Sequence, residues 1–260
     1  MSTERYNNFS STQSVNSSLR QSNDRVQNVV SRIDRYFRRE NTRIAQSLHK
    51  ICSLEGAAYL HSPWKRAFDL AVAVPSSIVG FVPIAILATA KKLEDGGSMF
   101  YMGKRVSPAG DDMHILKIRT MREGKDSGAN YMLFAKGKAP QEDPRCTTLG
   151  KFMREYQLEE LPQLFQVILG QLSLNGIRPS ADYGLEHLRR AWSKTRYITW
   201  EQRYSEGPLG LSGTNQTLGS SLKNDETRYH LDMFYANRAS LNLDCYIIWR
   251  TLTRVLKLIE

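Results

Sequence analysis

The sequence predicts an α+β protein, a small membrane-associated domain with a re-entrant hydrophobic helix, a short β-hairpin and several amphipathic helices. Three observations carry that class. Leu70 to Ala90 is a run of 21 residues without a charge. Ser98–Arg105 and Met113–Thr120 read as strands flanking the turn-rich stretch Ser107-Pro-Ala-Gly-Asp-Asp112. From Leu149 onward, apolar residues recur at helical spacing between proline and glycine stops. At 260 residues and 41% hydrophobic content, the chain can bury a real core in one or two domains.

Four segments follow in order. Residues 1–24 hold fifteen Ser, Thr, Asn or Gln, too little apolar surface to offset the entropy of ordering, and are expected to be a disordered polar tail. Residues 25–60 are expected to form a basic amphipathic helical extension: Val26, Val29, Val30, Ile33, Phe37, Ile44 and Leu48 recur at helical spacing beside Arg32, Arg35, Arg38, Arg39 and Arg43. Such a helix packs on its own domain or lies on anionic headgroups. Residues 61–92 are the expected re-entrant membrane helix. The apolar run is about 31 Å long if helical at ~1.5 Å per residue. Pro75 and Pro83 interrupt it, and Lys65, Arg66, Lys91 and Lys92 put cations at both ends. A helix that enters one leaflet, bends at a proline and returns satisfies both features; a buried core helix and a straight span are the alternatives. Residues 93–260 are the expected cytoplasm-facing domain.

Within that domain, a helix is expected over Gly150–Tyr156 and a stronger one from Pro162 to Gly170, proline suiting the first turn and glycine the stop. Residues 205–221, rich in glycine and small polar side chains, read as a flexible loop. Leu241–Ile259 combines apolar residues and Trp249 with Arg250, Arg254 and Lys257, a helix for a membrane surface or for the domain core.

Composition narrows the function. A formal charge of +10 favours an anionic partner: nucleic acid, phospholipid or a diphosphate substrate. Cys52, Cys146 and Cys245 form no C-x-x-C pair, which excludes a disulfide framework and fits a reducing, cytosol-facing compartment. No apolar h-region occupies the first thirty residues, so no cleaved leader is expected. The five histidines show no nucleophile-elbow or H-E-x-x-H arrangement, and Gly96-Gly97 lacks a P-loop setting.

What remains is Glu159-Glu160 just before Pro162. Adjacent carboxylates on a helix project about 100° apart, so one could attack while the other holds metal. A bare Glu-Glu at a helix start is also simply favourable there. Lys117 and Arg119 in Lys-Ile-Arg-Thr-Met121, Arg154 one turn earlier, and Arg178 in Gly-Ile-Arg-Pro179 could neutralise a diphosphate.

These segments occur in a recognisable order. Lys65-Arg66-Ala-Phe68-Asp69, Lys92-Leu-Glu-Asp-Gly-Gly-Ser-Met-Phe100, the Lys117 to Met121 motif, Asp143-Pro144-Arg145, Gly150-Lys-Phe-Met-Arg154, Leu158-Glu-Glu-Leu-Pro-Gln-Leu164 and Gly176-Ile-Arg-Pro179, with Leu231-Asp232-x-x-Tyr235 and Leu243-Asp244, resemble the bacterial sugar transferases, the monotopic polyprenyl-phosphate phosphoglycosyl transferases. The resemblance covers about residues 63 to 258. It implies transfer of a sugar 1-phosphate from a nucleoside diphosphate sugar to polyprenyl phosphate, with Mg²⁺ at the site, at the bacterial inner membrane and on its cytoplasmic side. By position it implies that Glu159 attacks, that Glu159 and Glu160 hold the metal, and that Lys117, Arg119, Arg154, Arg178 and Asp232 bind substrate. Partners implied are the nucleoside diphosphate sugar, polyprenyl phosphate and membrane lipids, with a homo-oligomer or glycan-assembly enzymes left open; nucleic acid does not suit a chain with so long an apolar run. The sequence departs from the family where Glu159 stands for aspartate and Gln157 for serine. Val82-Pro83 stands for the Ser-Pro break, and Glu206-Gly-Pro-Leu-Gly210 for an Arg-Pro-Gly run. A catalytically inactive homologue that binds ligand or scaffolds other enzymes is therefore the competing expectation.

Overall fold

The computed structural model describes residues 56–122, 143–218 and 225–255. They belong to the second of two units, Ser53–Glu260. The polar tail, most of the basic extension including its arginines, and the last five residues lie outside them.

A short helix α1 (Gly56–Leu60) leads into α2 (Pro63–Asp95), a 33-residue helix. Ser62 starts it by accepting the Lys65 amide, proline occupies its first turn, and Gly96 ends it at φ 74°, a left-handed stop that costs glycine nothing. The sequence expectation that Pro75 and Pro83 interrupt this helix is corrected: helix continues through both. Each proline removes one backbone donor, and the intact turns on either side carry the helix across.

The two faces of α2 differ. Lys65, Asp69, Ala73, Ser77, Gly80, Ile84, Ala88 and Lys91 recur every three or four residues and are buried. Ile78, Val79, Phe81, Val82 and Ile86 are exposed, Val79 by 77%. Among the described residues, α2 is long and apolar enough to cross a membrane, and only 22% of an apolar 18-residue window in it is buried.

The hairpin forms as expected. β1 (Phe100–Val106) pairs antiparallel with β2 (Asp112–Ile118), from Phe100 opposite Ile118 to Val106 opposite Asp112. Then come α3 (Thr148–Glu155), a single 3₁₀ turn (Leu158–Glu160), α4 (Gln163–Ile168) and β3 (Ser173–Asn175). Helices α5 (Asp182–Ala191) and α6 (Lys194–Glu206), strand β4 (Gly210–Ser212), and helices α7 (Thr214–Leu218), α8 (Asp225–Arg238) and α9 (Leu241–Val255) follow among the described residues.

The expected flexible loop at 205–221 is a correction, because it contains β4, paired in parallel with β3, and α7. Gly210 and Gly213 serve contact rather than flexibility. A Cβ on Gly210 would lie 2.0 Å from the Gly176 nitrogen, and one on Gly213 would lie 2.4 Å from the Gly176 oxygen. Only bare backbone fits there.

One core cluster joins Ala73 of α2 to Leu164 and Val167 of α4, Leu174 of β3, and Trp192, Trp200 and Tyr229. A smaller one joins Ile84 and Ala88 to Ile118 and Met153. A buried polar knot fastens the start of α2 to the far end of the chain. Lys65 Nζ lies 2.6 Å from Asp244 Oδ2 and 3.0 Å from Asp69 Oδ1. Tyr59 and Tyr235 hydroxyls donate to Asp244, and the Ser173 hydroxyl and Leu174 amide donate to Asp69. Two carboxylates against one ammonium are tolerable in the interior because these neutral donors fill the remaining lone pairs. Arg66 donates to the Val167 and Ile168 carbonyls at 2.6 and 2.7 Å, capping the end of α4.

Candidate active site

The site is assembled from three separated stretches. β2 alternates its side chains, so the buried Ile118 turns one way while Lys117 turns the other, toward the 3₁₀ turn. α3 approaches the end of β2 closely because Gly150 has no side chain: a Cβ there would lie 1.9 Å from the Thr120 oxygen. Arg154, one turn further along α3, thereby reaches Thr120, its Nε donating to Oγ1 at 2.9 Å. The turn bearing the glutamates opens at Gln157, whose φ of 56° is the one positive value outside glycine among the described residues. A left-handed non-glycine residue costs on the order of 1–2 kcal/mol, and such strain collects at functional sites. The glutamates therefore stand in their own 3₁₀ turn, where the sequence suggested the N-terminus of the helix that begins near Pro162.

Glu160 is clamped. Its Oε1 takes Lys117 Nζ at 2.6 Å and the Arg178 guanidinium, whose Nη1 also lies 3.4 Å from Oε2. Burial pushes this carboxyl up, but Arg178 and Lys117 outweigh it and hold the group well below the usual carboxylate range. In return Glu160 raises Arg178 against the opposing effect of burial. Lys117 is lowered, burial and Arg178 outweighing the attraction of Glu160.

Glu159 is the reverse case. Burial pushes its carboxyl up, Lys117 opposes and Glu160 adds to the rise, leaving the group above its ordinary value. Its Oε2 is buried with no hydrogen-bond partner among the described residues. A buried acceptor without a donor is uncommon in folded proteins and calls for a ligand or a chemical role. Arg154 adds positive potential at this carboxyl.

Arg178 is aimed by its surroundings. Gly176 lets β3 and β4 touch, and the Ile177–Leu209 bridge extends that pairing to the residue before the arginine. Beyond Pro179, the Ser180 amide donates to Tyr204 Oη at 3.1 Å and the Ser180 carbonyl accepts the Val106 amide at 2.9 Å. Arg228 Nη2 donates to the Ser180 hydroxyl at 2.6 Å, and its Nε lies 3.6 Å from Asp232 Oδ2, which also accepts Trp200 Nε1.

The structure thus gathers Glu159, Glu160, Lys117, Arg154 and Arg178. Arg119 is placed elsewhere: it is 2% exposed and pairs with Asp95 at the end of α2, donating also to the Ser98 and Met121 carbonyls. That is the work of a clamp between α2 and the hairpin, at odds with the expected substrate contact. Asp232 reaches the site at second hand, through Arg228 and Ser180. Arg228, Ser180 and Tyr204 were missed in the sequence; the i,i+4 spacing of Arg228 and Asp232 was the one available signal.

Among the described residues no group of three or more His, Cys, Asp or Glu side chains converges as a metal cage. The residues suit Mg²⁺ in another way, since this ion commonly takes one or two carboxylates and completes its shell with substrate phosphates and water. The unpartnered Glu159 Oε2 is such a donor. Glu160 takes both cations closely on Oε1, and its Oε2 has only the 3.4 Å contact with Arg178, so that oxygen could join as a second donor.

A carboxylate with one buried oxygen left unpartnered, beside a second one locked to two cations, is the equipment of an enzyme that moves phosphate-bearing groups. The chain matches the model of the family described as bacterial sugar transferase over residues 60–258. It is 31% identical over 201 residues to an exopolysaccharide production protein, ExoY, of Sinorhizobium fredii, covering 74% of this chain and 84% of that one. It is 32% identical over 202 residues to a UDP-galactose-lipid carrier transferase of Erwinia amylovora, and 30% identical over 202 residues to an undecaprenyl-phosphate galactose phosphotransferase of Salmonella typhimurium. Each of these two alignments covers 74% of this chain and 40% of the longer relative. The chain belongs to the bacterial sugar transferase family and is an enzyme of the phosphoglycosyl transferase kind.

Proposed function

We propose that the protein transfers a sugar 1-phosphate from a nucleoside diphosphate sugar to polyprenyl phosphate, the first step of building a lipid-linked glycan. The observation that carries this reading is the contrast within one turn: Glu160 neutralised by Lys117 and Arg178, and Glu159 buried with an oxygen to spare.

In this mechanism a Glu159 oxygen attacks the sugar-bearing phosphorus of the donor. The bond from that phosphorus to the bridging oxygen breaks, and nucleoside monophosphate leaves with the electron pair. An oxygen of polyprenyl phosphate then attacks the same phosphorus and releases the Glu159 carboxylate. Arg154 offsets the repulsion between anionic attacker and anionic phosphate, and Lys117 and Arg178 keep Glu160 ionised without adding net negative charge. Glu159 would hold Mg²⁺, which would supply further charge neutralisation.

The acceptor's chemistry agrees with α2. Its exposed side chains are apolar over most of a helix about 50 Å long at ~1.5 Å per residue, and lipid is the medium that covers such a face. The cations at its two ends favour both ends on the cytoplasmic side of the inner membrane, with the helix seated in one leaflet. The spared oxygen of Glu159 favours catalysis over the inactive-homologue reading.

The direct test is to mix the membrane-bound protein with donor sugars labelled on the β-phosphate, quench in acid before acceptor is added, and digest. Label on the peptide containing Glu159, discharged by polyprenyl phosphate, is the expected result. Labelled lipid formed while no peptide carries label at any time would remove covalent attack, and no labelled lipid from any donor would remove the transferase reading.

A further inference from the structure

We infer that Gln166 is a positioning residue that sets Lys117 against Glu160; its consequence for transfer rests on the function proposed above. β1 covers one edge of β2, and the other edge would present bare backbone groups. The Gln166 side chain, 6% exposed, closes that edge. Its Oε1 accepts the Leu116 amide at 2.8 Å, and its Nε2 donates to the His114 carbonyl at 2.7 Å. Bonding the carbonyl of one residue and the amide two places on is what one residue of a parallel neighbouring strand does, so this side chain replaces a missing strand. Nε2 also donates to Gln171 Oε1 at 3.0 Å. Exchanging the amide's oxygen and nitrogen would set donor against donor at Leu116 and acceptor against acceptor at His114, so the two backbone contacts fix its orientation, and the Gln171 amide turns to suit.

The consequence is a shared frame for the two halves of the clamp. Leu116 immediately precedes Lys117, whose Nζ meets Glu160 Oε1 at 2.6 Å. Gln166 lies in α4, which follows the 3₁₀ turn bearing Glu160 after only Leu161 and Pro162. One amide therefore ties the strand that carries the lysine to the helical segment that carries the carboxylates. A sideways slip of β2 by about 1 Å would lengthen the contact with Glu160, and misplacement on that scale costs on the order of 100-fold in rate.

Three variants test this in the membrane-bound, full-length chain: Gln166→Leu, Gln166→Glu and Lys117→Met, alone and combined. Gln166→Leu removes both bonds to β2. Gln166→Glu keeps the acceptor for Leu116 but turns a carboxylate oxygen toward the His114 carbonyl, an arrangement that only protonation repairs. Each Gln166 variant is expected to lower kcat by about 10- to 100-fold, and the activity of Gln166→Glu relative to the unaltered protein is expected to rise as pH falls. In the Lys117→Met background the same changes should cost less than about twofold more, because residues acting through one contact are not additive. Labelling of Lys117 by an amine-reactive reagent, read by mass spectrometry, should rise several-fold in Gln166→Leu, or in Gln166→Glu if the leucine variant does not fold. Labelling that stays flat in a folded variant, or rate losses at Gln166 and Lys117 that simply multiply, would overturn the inference. Labelling needs no turnover, so a responsive Lys117 in a chain that transfers nothing would sink the proposed function and leave the contact standing.

Discussion

Glu159 and Glu160 are chain neighbours whose carboxyls are driven in opposite directions: Arg178 and Lys117 hold Glu160 ionised against burial, while burial raises Glu159. Two acids separated in this way can divide the labour of a reaction, one serving as fixed counter-charge and the other as reactant.

The first prediction concerns pH. A nucleophilic carboxylate must be ionised, and a pKa raised above the ordinary 4.5 keeps Glu159 protonated to a higher pH. Activity should therefore fall as pH drops, with the midpoint of kcat/KM above 4.5. Glu160, shifted the other way, does not titrate in that window. A pH profile with a donor whose own ionisation is complete checks this; a flat profile down to the ordinary glutamate value contradicts it.

The second concerns reach. Glu159→Gln keeps shape and removes the nucleophile, and should abolish lipid-linked product to the limit of a radiolabel assay. Glu159→Asp retracts the carboxylate by one methylene from a site shaped around the longer side chain, and should lower kcat by roughly 10- to 100-fold. Activity surviving the glutamine change would exclude this residue as the attacking group.

Removing Lys65 should expose the weakness of the polar knot. Lys65→Met leaves Asp69 and Asp244 buried and facing each other without their common cation. A loss of about 3–5 kcal/mol is expected, measured by chemical denaturation in detergent. Tyr235→Phe, which removes one donor to Asp244, should cost about 1–3 kcal/mol.

Gly210→Ala should destabilise the chain by at least about 1–3 kcal/mol, because the new methyl would collide with the Gly176 backbone. Gly184→Ala, in α5, meets nothing nearer than the Ser180 Cβ at 4.0 Å and should instead be stabilising by up to about 1 kcal/mol. Thermal melts of the pair distinguish a packed glycine from a flexible one.

Charges on the exposed face of α2 should release the protein from lipid. Ile78→Asp with Val79→Asp places two anions where 72% and 77% of the native side chains are exposed. Each costs on the order of 3 kcal/mol in a membrane helix. Flotation with phospholipid vesicles should show the unaltered chain in the lipid fraction and the double variant largely outside it.

Much of this was determined by the sequence alone, because the relevant signals are local. A charge-free run of 21 residues marked α2, a Pro-Gly turn between extended stretches marked the hairpin, and Pro162 with Gly170 bracketed α4. The ordered motifs marked Glu159, Glu160, Lys117, Arg154 and Arg178. Tertiary structure decided what no window of sequence contains: that Arg119 serves Asp95, that Gly210 and Gly213 pack against the Gly176 backbone instead of loosening a loop, and that Gln166 stands in for a strand. The reason is physical. A backbone preference is carried by a residue and its near neighbours, whereas the partner of a charge, the space beside a Cα and the burial that separates two adjacent carboxyls come from segments tens of residues away.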